Sequence, residues 1–138
     1  MPNDIQSEKI KSLPHINSDY ADSLFVQIFQ KIVIEKQYRN PNYSATQLSR
    51  DLSVNPRYIS EVLAIHTGEN YHAFVNRYRL RDARGMLLSQ RYAKVPVEEV
   101  GLLCGFASRQ AFYLAFSRAE GITPMQYRKM NPENQTSL

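Results

Sequence analysis

Two stretches of this chain, about fifty residues apart, repeat one plan, and that repetition limits the fold more than any other feature. The first runs from Leu48 to Ser60 and the second from Val100 to Tyr113. In each, a short apolar helix stops at a small residue, Ser53 or Gly105. An apolar plug follows, Val54 or Phe106, and then a capped helix begins. This is the layout of a helix-turn-helix, whose second helix can lie in a DNA major groove.

The surrounding residues supply further helices. Ser18 or Asp19 caps the first, in which Ala21, Leu24, Phe25, Ile28 and Ile32 recur at helical spacing. Val26, Phe29 and Val33 widen that stripe, so the helix is expected to be well buried until the turn at Asn40, Pro41 and Asn42 ends it. Ser44 and Gln47 form a capping box, Asn55 caps a helix with Pro56 at its first position, and Gly68 closes that helix. Asn70 caps a long helix reaching about Leu88. Pro96 starts the next, with Glu98 and Glu99 at its positive end. Ser108 caps another, Gly121 stops it, and Thr123, Pro124 and Gln126 open the last. Nothing alternates over a strand's length, so the fold is all-α: two helix-turn-helix subdomains, about seven helices, joined by a long central helix. Residues 1–17 read as a flexible arm or linker remnant and 131–138 as a flexible tail. Between them, 18–130 form the domain: a first lobe at 18–69, a linker helix at 70–88 and a second lobe at 95–130.

The long helix changes its apolar side midway. At 100° per residue, Tyr71, Phe74, Val75 and Tyr78 share one side, and Leu80, Ala83 and Leu87 fall nearly opposite. One face serves a core near the helix start and the other a core near its end, as a strut between lobes requires. About 20 residues at 1.5 Å each span about 30 Å, close to the ~34 Å between successive major-groove faces of B-DNA.

Charge agrees in location. Residues 41–130 hold twelve basic and seven acidic side chains, whereas residues 1–40 are balanced. That segment, which carries both units, therefore holds +5, and Glu133 brings the chain to +4; the excess lies where a polyanion partner requires it. The single cysteine, Cys104, lies among Val100, Leu103 and Phe106 and reads as a buried small hydrophobe. No stretch is long enough for a membrane span and the N-terminus lacks a signal-peptide plan, so the expected location is the cytosol. His15, His66 and His72 lack metal-ligand spacing with each other or with Cys104, and no catalytic or phosphate-binding motif is present. The expectation is a non-enzyme without cofactor or metal.

Gly105, Phe106, Ser108, Phe112, Phe116, Gly121, Thr123, Pro124, Tyr127 and Arg128, at their fixed spacing, resemble the signature of AraC/XylS-type transcription regulators. The order of elements agrees, with Arg79 and Ala83 on the long helix, and the similarity covers roughly residues 20–130. The resemblance implies sequence-specific binding of double-stranded DNA and control of transcription, with both recognition helices in adjacent major-groove segments. It also implies a C-terminal output domain of a larger sensor-regulator. RNA polymerase is then allowed as a further partner, and dimerisation through a sensing module outside this chain. A different reading is a helical protein-interaction module that has kept the fold and lost DNA binding; Glu61 and Leu114 favour it, because both weaken the expected contact face.

The same resemblance nominates contacts. Arg57, Ser60 and Glu61 match base-facing positions of the first recognition helix, with Tyr58 beside them. Arg57 suits guanine O6 and N7; Glu61 either accepts from cytosine N4 or clamps Arg57. In the second helix Arg109, Gln110 and Tyr113 face outward, Gln110 suiting adenine and Tyr113 a thymine methyl or a phosphate. Arg79, Lys129 and the helix amino ends at Ser44, Ser108 and Thr123 are expected to hold the DNA backbone. Arg77, Arg81 and Arg84 coat the strut, and Arg128 is expected to pair with a helix end or an acid.

Overall fold

The computed structural model describes residues 17–136, all helical or irregular, so the arm expected at 1–17 lies outside the described residues except for Asn17. Eight α-helices follow in order: α1 Ser18–Phe29, α2 Ala45–Leu52, α3 Pro56–Thr67, α4 Tyr71–Leu88, α5 Val97–Leu103, α6 Arg109–Glu120, α7 Pro124–Arg128 and α8 Pro132–Thr136. The caps follow from local chemistry. Ser44, Asn55, Asn70 and Ser108 each accept a first-turn amide with the side-chain oxygen, and Gly68 and Gly121 end α3 and α6 in the left-handed conformation. Thr123 and Gln126 complete a reciprocal capping box on α7. At α2 only half a box forms, because the Gln47 amide reaches forward to Asp51 at 2.8 Å.

The first helix differs most from expectation. Its cap is Asn17, which accepts from the Tyr20 amide at 2.7 Å, one residue before Ser18. Past Phe29 it widens into a π turn, Gln30–Ile34, and Lys36 adopts φ 61°. The chain therefore leaves the helix well before Asn40 and makes a 3-10 turn, Gln37–Arg39, that plugs Tyr38 into the core. Nor is the helix buried all round: Ala21, Leu24 and Ile28 are buried and Phe25 and Phe29 pack beside them, whereas Val26 is 65% exposed. At the second unit Pro96 stands at the cap itself, and α5 begins at Val97.

Two apolar clusters form, and α4 belongs to both. Phe74 and Val75 join Leu24, Ile28, Leu48, Ile59, Val62 and Leu63 in the first. Leu80, Ala83 and Leu87 join Val100, Cys104, Phe106, Phe112 and Phe116 in the second. The midway change of apolar side thus does what its spacing implies, and 18 residues of α4 make a strut of about 27 Å.

The start of the expected flexible tail is instead held at Asn131 and Asn134. Asn131 donates to the Leu88 carbonyl at 2.5 Å, and the buried Asn134 side chain donates to Leu87 O at 3.1 Å and Arg128 O at 3.0 Å. The last carbonyls of a helix lack intrahelical donors, and these two asparagines supply them. Residues 137–138 lie outside the described residues.

Candidate nucleic-acid interface

Each helix-turn-helix projects the first turn of its second helix outward. On α3, Asn55 and Pro56 fix the start, Ile59, Val62 and Leu63 anchor the inner face, and Arg57 and Ser60 are left exposed. The Arg57 guanidinium has no partner among the described residues, so its fork of donors is available to a base edge. Tyr58 is half-buried: its ring rests against the first core, edge-on to Tyr20 at 6.0 Å. Glu61 is also half-buried, with Oε2 shielded and unpartnered, and it does not clamp Arg57.

On α6, Ser108 caps the start, Phe112 and Phe116 anchor the inner face, and Gln110, Tyr113 and Leu114 are exposed. Arg109 is exposed but not free. Its Nη2 lies 2.7 Å from Glu99 Oε1 on α5, so in the unbound chain the guanidinium leans across the turn. Exposed pairs of this kind contribute about 0–1 kcal/mol, which a guanine edge or a phosphate can replace.

The backbone-holding set divides. Lys129 is exposed. Ser44 and Ser108 hydroxyls accept from Gln47 and Ala111 amides, leaving the earlier amides of α2 and α6 at the surface. Thr123 does not offer its amide: that N–H donates to Gln126 Oε1, and Pro124 has none to give. Arg79 is a correction. It is only 8% exposed, and its Nε donates to the Tyr38 carbonyl at 2.6 Å, so it faces the protein interior and not a phosphate.

The other strut arginines are engaged at the surface: Arg77 with Glu69 at 2.9 Å, Arg81 with Asp82 at 3.6 Å, and Arg84 with Glu120 at 2.9 Å. Arg128 is buried and donates to the carbonyls of Val95 and Tyr92, so it fastens the α4–α5 connection to α7, and desolvation lowers its pKa. Two cations on the helices of the two units escaped the sequence reading. Arg50 on α2 and Arg118 on α6 are exposed without a side-chain partner among the described residues. Arg118 stands one turn past Leu114, and both line an open cleft of about 720 Å³ between α4 and α6, with His72 and Asn76 opposite. The spacing of Gln110, Leu114 and Arg118 along one helical row was the available signal.

Away from this face, His66 ties α3 to α1 through Asp22 at 2.8 Å and stacks on Phe25. Cys104 is fully buried with Sγ 3.7 Å from Met86 Sδ, and burial pushes its thiol up to about 12. A thiolate-selective reagent at neutral pH is expected to leave Cys104 unmodified in the native chain and to label it on unfolding; rapid native labelling contradicts its placement. No helix among the described residues is long and apolar enough to cross a membrane.

Comparison with known proteins gives a consistent picture. The model of the helix-turn-helix domain family matches residues 48–130. The xylose operon regulatory protein of Escherichia coli K12 is 36% identical over 66 residues, 48% of this chain and 16% of that protein. The HTH-type transcriptional regulator MtrA of Neisseria gonorrhoeae is 33% identical over 135 residues, 91% of this chain and 40% of its own length. The chain thus spans about a sixth of the first relative and two fifths of the second. Among solved structures, the C-terminal domain of AraT, a response regulator from Geobacillus stearothermophilus, superposes with a TM-score of 0.67 at 24% identity, over 76% of this chain and 84% of that one.

Proposed function

The chain belongs to the AraC/XylS-type helix-turn-helix regulators, and on that premise we propose that α3 and α6 enter neighbouring major-groove segments on one face of a single duplex. The family binds DNA and regulates transcription, and so does this chain. The finer reading rests on one observation: exposed side chains near the helix starts, Arg57 and Ser60 on α3 and Gln110 and Tyr113 on α6, stand on two units joined by one strut of about 27 Å, somewhat short of the ~34 Å groove repeat. Arg57 and Arg109 read bases, the latter after leaving Glu99. Exposed Lys129 and the amino ends at Ser44 and Ser108 hold phosphates. The relatives' greater length supports an output domain in a longer cytoplasmic regulator, whose remaining part senses a signal and dimerises, with RNA polymerase as the downstream partner.

Sites selected from random duplexes, followed by a salt titration, test this reading. Affinity should fall log-linearly as salt rises, since condensed cations are displaced from the duplex. Absence of duplex affinity at low salt points to a protein-interaction module instead. On the selected site, Arg57→Ala should cost about 1–3 kcal/mol and relax preference at one base pair, with Arg109→Ala acting likewise about one helical turn away. Equal affinity and unchanged preference in both variants would remove these two residues from the interface.

A further inference from the structure

The two lobes have separate apolar clusters but meet along a polar seam, and Arg79 lies at its centre. Its Nε donates to Tyr38 O at 2.6 Å, its Nη2 to Asn40 O at 3.4 Å and its Nη1 to Asn76 Oδ1 at 3.1 Å. The same guanidinium carbon lies 5.9 Å from the ring centre of Phe106, the plug of the second turn. One side chain thus grips first-lobe backbone while facing the second unit. Asp82 reinforces the contact by accepting from the Tyr38 hydroxyl and from Arg39 at 3.0 Å. From the other lobe, Gly105 approaches so closely that a Cβ there would stand 2.7 Å from Arg39 Cα.

A helix fixes the distance between what it carries, but a lobe attached only through its strut can still swing about it. A second contact off the strut axis removes that freedom: Gly105 of the second unit bears on the Tyr38–Arg39 backbone, which Arg79 and Asp82 of the strut hold in place. The acceptors around Arg79 are two carbonyls and an amide oxygen at fixed directions, which suit a planar guanidinium and not an ammonium.

We propose that Arg79 is the positioning residue that sets the spacing between the two DNA half-sites this chain accepts. The inference rests on the DNA reading above. Each base pair inserted between half-sites moves the second one about 3.4 Å along the duplex and turns it about 34° around the axis. Lobes joined by a hinge follow that displacement, and lobes joined by a seam do not.

The test uses the full 138-residue chain and duplexes recovered by selection from a randomised pool. Wild type and Arg79→Met are compared on the whole site, on each half-site alone, and on whole sites lengthened by one or two base pairs. Wild type should lose about ten-fold or more on the lengthened sites. Arg79→Met should keep half-site affinities within about two-fold, lose about ten-fold on the whole site, and be indifferent to the added base pairs. A wild type that tolerates the added base pairs overturns the proposal, as does a variant that discriminates against them as steeply as wild type. If Arg79→Met does not fold by circular dichroism, Asp82→Asn replaces it with the same two criteria. A wild type that binds neither half nor whole sites overturns the DNA reading itself, an outcome distinct from a failed spacing test.

Discussion

Replacing Phe112 with alanine is expected to lower stability by about 3–5 kcal/mol. Phe112 is 1% exposed, with ring centres 5.2 Å from Phe106 and 5.6 Å from Phe116. Gly101 makes room for it: a Cβ on Gly101 would fall 2.2 Å from Phe112 Cγ, so the ring packs directly on the α5 backbone. Gly101 has no side chain to fill the space the ring would leave, so a cavity should open over α5. Since Phe112 belongs to the second cluster alone, amides of α5 to α7 should lose hydrogen-exchange protection before those of α1 to α3. An unchanged melting temperature, or an equal loss of protection in both lobes, contradicts this account.

The second large effect is expected at Gly105→Ala, which should destabilise by about 2–5 kcal/mol. Two costs combine. The backbone holds φ +110°, a region L-residues rarely adopt, and the added methyl would enter the Tyr38–Arg39 backbone. A backbone neighbour cannot rotate aside as a side-chain tip can. Chemical denaturation of this variant beside Gly68→Ala supplies the control, because Gly68 is also left-handed at φ +71° but has nothing within 4 Å of its would-be Cβ. Equal losses at the two positions would mean that the close approach at Gly105 has no energetic weight.

What could be read from the sequence, and what could not, divides by the range of the cause. Caps at Ser44, Asn55, Asn70 and Ser108, stops at Gly68 and Gly121, and the two-sided α4 depend on spacings within one or two turns, and all are present. Arg79 was misplaced because its partners, the Tyr38 and Asn40 carbonyls, lie about forty residues away. Its position did carry a signal: Val75, Arg79 and Ala83 stand four residues apart on one row, and the two apolar ones are buried. Arg109 looked free because its pairing with Glu99 depends on how tightly the second turn folds back. Asn131 and Asn134 read as part of a flexible tail because they act on carbonyls at the far end of α4. The outward positions of Arg57, Ser60, Gln110 and Tyr113 were legible, as they follow from the inner stripe of each helix.

The two turns are built to one plan but answer to different neighbours. Ser53 holds the left-handed conformation at φ 56° with a side chain exposed to solvent, whereas Gly105 is pressed against another part of the molecule. Recombination between relatives should therefore be asymmetric. A chimera that imports a foreign second unit must also import the stretch around Tyr38 that its turn was shaped against, whereas the Ser53 corner can change its side chain without regard to the partner lobe.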